Sequence, residues 1–198
     1  MFSTGSGASA TASVGTGYIQ KIFLDNDGSG FTGTPTVAIT TAPSGGTDAT
    51  AVAITTTRNN ITSISEILLT NAGAGYTVAP TITISGGGGT GAAATCGIIT
   101  AHRGVISFTI TDGGSGFTTT PPVTVSVPPL SPAINASAKA VVSAAGTISE
   151  IRIVNAGAGF LGSAPTVTVG SAATTGIGTF WFNEVITGSR SGMSGRVK

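Results

Sequence analysis

The sequence contains few side chains with the chemistry of an active site. It has one cysteine, Cys96, and one histidine, His102. A thiol and an imidazole can act as nucleophile and base, but no motif of that kind surrounds either residue. Cys96 lies in a run of small alternating residues, which is typical of a free cysteine packed as a small hydrophobe. We therefore expect no catalytic residues, and the chain is predicted not to be an enzyme.

The acidic residues do not form a pattern that indicates catalysis or a metal centre. Seven Asp and Glu residues are scattered along the chain. Glu66 and Glu150 occupy matching places in the repeat described below, so we interpret them as a repeated structural feature rather than an acid/base pair. A metal centre needs a cluster of His, Cys or carboxylate ligands, which one His and one Cys do not supply. No metal and no cofactor are predicted.

One segment, Asp25-Asn26-Asp27-Gly28, resembles the start of a calcium loop, because two carboxylates stand two residues apart before a glycine. An EF-hand would place a bidentate Glu at its twelfth position, where this chain has Thr36. Asp and Asn also stabilise turns through their own side chains. The turn is the favoured interpretation, and Asp25 with Asp27 remains a weak calcium candidate.

Two segments, 28–33 and 157–162, match the glycine spacing of a dinucleotide-binding fingerprint. That fingerprint requires a helix that begins at its third glycine, so that free N–H groups meet the pyrophosphate. Here Pro35 or Pro165 and a predicted strand follow instead. We therefore interpret both segments as turns.

The composition excludes two classes of partner. Only 8% of the 198 residues are charged and the net charge is +1, so no basic stripe is available for nucleic acid. No apolar run approaches the roughly 18 residues that a membrane-spanning helix needs. No segment after Met1 resembles a secretory leader, and one cysteine cannot form an internal disulfide framework. We predict neither nucleic acid nor membrane as a partner.

A fourfold repeat is the strongest pattern in the sequence. Each copy contains a Gly-x-Gly-aromatic tetrad followed by a proline, and the aromatics recur at intervals of 45, 41 and 43 residues. The landmarks are Gly28, Gly30, Phe31 and Pro35; Gly73, Gly75, Tyr76 and Pro80; Gly114, Gly116, Phe117 and Pro121; and Gly157, Gly159, Phe160 and Pro165.

Each copy is predicted to contain three strands. Strand A, with apolar residues at alternate positions, precedes the tetrad, where glycines with positive φ reverse the chain. Strand B follows the proline, and a Gly-rich loop leads to the small-residue strand C. The predicted fold is all-β: four tandem three-stranded antiparallel repeats of about 43 residues, with about twelve strands in a β-sandwich, prism-like or solenoid-like array.

The repeat also sets the predicted domain boundaries. Residues 1–17 form an N-terminal half-repeat strand that pairs with a neighbouring subunit or closes onto the last repeat of the same chain. Residues 177–198 form an aromatic cap and tail, in which Phe180, Trp181 and Phe182 are predicted to make an interface, because aromatics are enriched in interface cores. Between them lie the four repeats, 18–60, 61–103, 104–146 and 147–176.

The repeat resembles the Gly-rich β-repeats of structural proteins from tailed bacteriophages, especially marine and cyanobacterial phages. The pattern is I-x-x-I-x-[IL]-x-[ND]-x-G-x-G-[FY], followed by a proline, and the resemblance covers nearly the whole chain. The segment 182–192 is similar to a G-E-x-V-T-G-x-x-S-G segment of such proteins, with Asn183 in place of the usual Gly. The resemblance carries over no catalytic residue.

What the resemblance implies is a virion structural protein that is made in the host cytoplasm. The expected partners are other copies of the chain and capsid or tail proteins. A capsid-surface decoration or cement protein is favoured, and a tail or fibre component is the alternative. Since similar repeats occur in bacterial surface proteins, an adhesin or glycan-binding module that contacts a host surface glycan remains the alternative of another class.

Overall fold

The computed structural model describes residues 5–162, 164–171, 185–187 and 194–196. Every element in this part of the chain is a β-strand, and every pair of strands is antiparallel. The all-β, antiparallel prediction is confirmed. Two short strands, β13 (Val185–Thr187) and β14 (Ser194–Arg196), pair with each other. The other twelve are β1 (Ser6–Gly15), β2 (Tyr18–Ser29), β3 (Thr36–Ile39), β4 (Thr50–Arg58), β5 (Ile61–Asn71), β6 (Ile82–Ser85), β7 (Thr90–Ile99), β8 (Gly104–Ser115), β9 (Pro122–Val125), β10 (Ser137–Val142), β11 (Ile148–Asn155) and β12 (Val167–Val169).

The strands of one predicted repeat pair mainly with strands of other repeats, and the short β9–β10 contact in the third repeat is the exception among the described strands. Strands β2, β3 and β4 belong to the first repeat, yet they pair with β7, β6 and β5 respectively. The longer ladders pair A strands with C strands, and B strands pair with B strands. Two short contacts, β9 with β10 and β5 with β11, join these pairs into a six-stranded sheet. A tandem array of self-contained three-stranded units is therefore not seen.

The strands instead group into two halves of six, β1–β6 and β7–β12, which we call the first half and the second half. Within each half the same pairs form: β4 with β5 and β3 with β6, and likewise β10 with β11 and β9 with β12. Each half also gives its first strand to the other, since β1 pairs with β8 and β7 pairs with β2. The halves are thus related by an approximate twofold arrangement.

This pairing gives the predicted half-repeat strand a partner. Strand β1 is the first strand of the first half, and its partner β8 lies in the third repeat of the same chain. The prediction that it closes onto the last repeat was wrong, because β1 belongs to a six-strand half whose ladder partner lies in the third repeat. Pairing of this strand with a neighbouring subunit stays a prediction.

Each A strand contains a β-bulge that the sequence pattern of plain alternation did not predict. Near its start, the register of each A strand skips one residue, at Gln20, Ser65, Ile106 and Ser149, and a second skip follows near the strand's end. A bulge adds one residue to one strand, so residues three apart can face the same side. Ile64 and Ile67 are therefore both buried in β5, as are Ile148 and Ile151 in β11. The I-x-x-I spacing of the repeat is the sequence signature of this bulge.

The bulges in β2 and β8 free backbone groups for a ring of four hydrogen bonds at the centre of the molecule. Ala72 and Ala156, which directly follow β5 and β11, each accept one bond and donate another, so all four A strands are connected. The ring consists of Ile19 N to Ala72 O, Ala72 N to Ile106 O, Val105 N to Ala156 O, and Ala156 N to Gln20 O, at 2.7–2.9 Å.

The main core surrounds this ring. The largest fully buried side chains of the described residues come from the A strands: Tyr18, Ile19, Ile64, Leu69, Val105 and Ile153. A smaller core cluster lies in the second half around Phe117, Ala140, Ile148 and Ile151. No polar or charged residue is buried among the described residues other than tyrosine, whose ring is largely apolar.

Candidate interaction surface

The Gly-x-Gly tetrads are turns, as the sequence predicted. The eight glycines of the four tetrads all have positive φ, between 60° and 96°. In each copy, the side chain two residues before the first glycine accepts that glycine's N–H, which is an Asx turn. The acceptors are Asn26, Asn71, Asp112 and Asn155, at 2.8–2.9 Å.

The chain does not reverse at every tetrad, however. Strands β5 and β11 end at Asn71 and Asn155, but β2 and β8 continue to Ser29 and Ser115. Those two strands keep pairing with β7 and β1 beyond the turn residues. The prediction that strand A stops before the tetrad and that the chain reverses there was therefore wrong for the first and third repeats, because a partner strand from the other half extends the ladder.

The calcium candidate forms the same Asx turn as its three counterparts. Asn26, not Asp25 or Asp27, makes the turn hydrogen bond. The carboxylate of Asp25 accepts the Thr95 hydroxyl at 3.2 Å across the β2–β7 pair. Among the described residues, no group of three or more His, Cys, Asp or Glu side chains is placed to hold a metal ion.

The four tetrad aromatics are core residues, and two of them hold matching positions in the two halves. All four are at most 5% exposed. Phe31 lies over Gly89, and Phe117 lies over Gly5. Each of these glycines directly precedes the strand that the other half contributes, β7 or β1. A Cβ on either glycine would lie 2.4–2.5 Å from the ring. Tyr76 makes a different contact, because its hydroxyl oxygen accepts the N–H of Ala49 at 3.0 Å. Its hydroxyl also donates to the Thr40 carbonyl at 3.2 Å. The repeat also leads us to expect that each aromatic packs near the proline that follows it, and this contact stays a prediction.

The two residues that could have formed a catalytic pair have no such arrangement. Cys96 lies in β7 opposite Ile22 and its thiol donates weakly to the Pro80 carbonyl at 3.5 Å. Burial raises the pKa of this thiol, which disfavours the reactive thiolate. His102 follows β7 and precedes β8. These findings agree with the interpretation of Cys96 as a packed small residue.

Glu66 and Glu150 are counterparts on β5 and β11, as the repeat predicted. Glu66 forms an ion pair with Lys139 at 2.6 Å, and Glu150 forms one with Arg152 at 2.8 Å. The Lys139 side chain is 53% exposed, so this pair contributes little to stability. Because Lys139 lies on β10 and Glu66 on β5, the first pair also links the two halves.

Each half has an end where its two paired B strands stop, and we call this end the tip. The first tip is formed by the residues next to Thr40 and Thr81, and the second tip by those next to Ser126 and Thr166. In the first tip, the Thr40 N–H donates to the Thr81 carbonyl at 3.0 Å. Thr40, Pro43, Tyr76 and Val78 border a small cavity of about 240 Å³ there. In the second tip, the Ser126 N–H makes the matching bond to the Thr166 carbonyl at 2.9 Å. The loops that follow these bonds differ in chemistry between the two halves.

The second tip carries the candidate interaction surface. Four of the seven exposed large hydrophobic residues in the described chain lie there, 39–69% exposed, and we call them the second-tip apolar patch: Val127, Leu130, Ile134 and Leu161. Two backbone hydrogen bonds hold the loop of the first three against the segment that carries Leu161. The Leu130 N–H donates to the Gly159 carbonyl at 3.1 Å, and the Ile134 N–H donates to the Ala158 carbonyl at 3.0 Å.

Sequence reasoning missed this patch, although a signal was present. Residues 127–134 read Val-Pro-Pro-Leu-Ser-Pro-Ala-Ile, whereas the matching loop of the first half is polar and Gly-rich. The predicted interface at Phe180, Trp181 and Phe182 lies outside the described residues. In the described part of the chain, no helix could cross a membrane.

Comparison with known proteins finds no family model that matches this chain, and no similar curated protein or solved structure.

Proposed function

We propose that this chain is a virion structural protein, and specifically a capsid-surface decoration or cement protein. The observation that carries the proposal is the second-tip apolar patch. Val127, Leu130 and Ile134 lie on one loop, and backbone hydrogen bonds hold that loop against residues 158–159, two residues before Leu161. Exposed apolar groups that are gathered in this way, rather than placed singly, are typical of surfaces that bind other proteins. The patch is held on a tip whose backbone is pinned by hydrogen bonds, so its side chains lose little freedom on binding.

The architecture supports a structural role. The central ring ties all four A strands together, and the two halves share two long ladders. We propose that the halves form a closed, prism-like body rather than an open solenoid, because a solenoid repeat would contact only its sequence neighbours. Such a body can present one tip to a shell without rearranging.

The low charge of the surface supports a role in an assembly. Pairs of hydroxyl groups connect neighbouring strands on exposed faces, at 2.6–2.7 Å, and they keep these faces polar without adding charge. The pairs are Ser9 with Thr111, Thr50 with Thr70, and Thr57 with Thr62. With a net charge of +1, the protein has little electrostatic repulsion to overcome when copies gather on a shell.

The proposal is tested by adding the purified protein to capsids of the phage that carries its gene, prepared without this protein. We expect wild type to co-sediment with the capsids. The double variant Leu130→Ser/Leu161→Ser should bind roughly tenfold or more weakly, because two apolar side chains no longer transfer out of water. Val78→Ser is the matched control, since Val78 is 73% exposed on the first tip, and it should bind as wild type does.

Other outcomes separate the alternatives. Immunogold labelling of tails rather than capsids would overturn the decoration role in favour of a tail or fibre component. Binding to an array of host surface glycans, with no protein in purified virions, would favour an adhesin or glycan-binding module. Detection in virions would also support assembly in the host cytoplasm.

A further inference from the structure

We propose that two copies of this chain associate by exchanging halves, so that the first half of one copy pairs with the second half of the other. The partner is therefore a second copy, and its docking surface is the interface that now joins the halves within one chain. The inference rests on the proposed function only in naming another copy as the partner, and its failure would leave binding to a capsid untouched.

The first argument is that each half is incomplete without the other. Strands β1 and β2 have their ladder partners, β8 and β7, in the second half. The central ring likewise takes Ile19 and Ala72 from the first half and Val105 and Ala156 from the second. A half by itself would expose these strand edges, and exposed edges recruit partners. Another copy can satisfy them with the same contacts.

The second argument is that the interface selects unlike halves. Tyr18 and Gly104 are counterparts, because each stands at the start of the second strand of its half. The Tyr18 ring fills the space above Gly104, and its hydroxyl donates to the Gly157 carbonyl at 2.6 Å. Two first halves would bring two tyrosines into one space, whereas two second halves would leave that space empty. Exchange must therefore pair a first half with a second half.

The third argument concerns the hinge. The halves are joined by Gly86, Gly87, Gly88 and Gly89, between β6 and β7. We call the form in which the two halves of one chain pair with each other the closed form. In the closed form the Gly87 carbonyl accepts the N–H groups of Thr32 and Gly33, at 2.7 and 3.1 Å. Four extended residues span about 13–14 Å, and glycines can adopt that conformation without a steric penalty. Opening this hinge breaks these two bonds and the bond from the Thr32 hydroxyl to the same carbonyl, and it moves Gly89 relative to the Phe31 ring.

Closed and exchanged forms contain the same interface, so the balance between them depends on the hinge and on concentration. A short flexible linker gives an effective concentration of about 1 mM for the half in the same chain. Exchange should therefore be rare in dilute solution and become substantial near that concentration. Copies crowded on the surface of an assembly meet this condition.

Cysteine cross-linking in the full chain tests the proposal, with Cys96→Ala as the common background. The first pair of variants is Thr11→Cys and Thr109→Cys, which are opposite residues on β1 and β8. The second pair is Phe23→Cys and Thr95→Cys, which are opposite residues on β2 and β7. Each variant carries one of these cysteines, so a short bismaleimide can join the two members of a pair only between copies.

The two members of each pair are mixed at about 10 μM and at about 1 mM, incubated, diluted and cross-linked. We expect both pairs to yield cross-linked dimer at the high concentration and several-fold less at the low one. Deletion of Gly87 and Gly88 should raise the dimer fraction, since a shortened hinge favours exchange. Mixing Thr11→Cys with Phe23→Cys, which lie in the same half, should yield none.

Doubly substituted chains, Thr11→Cys/Thr109→Cys and Phe23→Cys/Thr95→Cys, show that each pair folds and reacts, because both should cross-link within one chain. Cross-linking of the first pair alone would mean that only the β1 strand exchanges, which overturns the proposal. Absence of dimer from both pairs, with normal cross-links within the doubly substituted chains, would overturn it as well.

Discussion

The ring of Tyr18 occupies the space that a side chain at Gly104 would need. A Cβ at Gly104 would lie 2.2–2.4 Å from the ring and hydroxyl atoms of Tyr18, which is itself fully buried. The two residues stand at matching positions of the two halves, so the molecule is asymmetric where its approximate twofold arrangement would otherwise bring identical groups together. This large-to-small fit connects the halves at the centre of the core.

The first prediction concerns that fit. Gly104→Ala should lower the free energy of unfolding by about 1–3 kcal/mol, because the added methyl group overlaps a buried ring that cannot move freely. Gly33→Ala is the matched control, since nothing lies within 4 Å of a Cβ there, and it should be close to neutral. Urea denaturation measures both. Equal stability of the two variants would mean that the Tyr18 ring can be displaced without cost.

The second prediction concerns the Tyr18 hydroxyl. Tyr18→Phe leaves the buried Gly157 carbonyl without its donor, which should cost about 1–3 kcal/mol. Burial raises the pKa of Tyr18 above its usual value, so the folded protein keeps this proton to higher pH than the unfolded chain does. Its contribution is therefore complete below about pH 10 and declines as pH rises above that.

The measurement for this second prediction is the difference in stability between wild type and Tyr18→Phe, since other titrating groups contribute equally to both. The difference should be constant up to about pH 9 and narrow above pH 10. A difference that widened in alkali would contradict the assigned direction of the pKa shift.

The third prediction separates the Asx turn from a calcium site. Asn26→Ala should cost about 0.5–1.5 kcal/mol because it removes the acceptor for the Gly28 N–H. Asn26→Asp should be nearly neutral, since Asp112 makes the same bond at the matching position. Asp27→Ala is the control at the neighbouring residue. Calcium should leave the Tm unchanged, and a rise of several degrees that Asp25→Ala abolished would reinstate the metal site.

The fourth prediction concerns the buried aromatics. Phe117→Ala should lower the free energy of unfolding by about 3–5 kcal/mol, because it empties the space over Gly5 and within the smaller core cluster. Phe23→Ala removes an aromatic that is 48% exposed, and it should cost much less. Thermal unfolding of the two variants compares them directly. Similar losses for both would show that the tetrad aromatic is not a core residue.

Features that depend on neighbouring residues could be predicted from the sequence. The tetrad glycines have positive φ and the Asn or Asp before them accepts a hydrogen bond, because both effects arise within a few residues. The B strands follow their prolines for the same local reason. The I-x-x-I spacings were present in the sequence, but they could not be identified as bulges there. A bulge is a shift in register between two strands, so it can be recognised only when the partner strand is known.

The linkers show why partner choice was harder to predict. Strands β4 and β5 form a hairpin through Asn59 and Asn60, both of which have positive φ, as a type I′ turn requires. Strands β1 and β2 are joined by Thr16 and Gly17, and a β-branched threonine is unsuited to that turn. They instead diverge to β8 and β7.

The sequence by itself determined that the chain is all-β, where its strands and turns lie, and that it repeats a unit with few chemically active side chains. The tertiary structure alone decided which strands pair, that the repeats join into two strand-exchanging halves, and that apolar residues gather at the second tip. The physical reason is that a backbone ladder binds almost any strand of suitable length. Partners are therefore chosen by linker geometry and by fits between distant side chains, as between Tyr18 and Gly104.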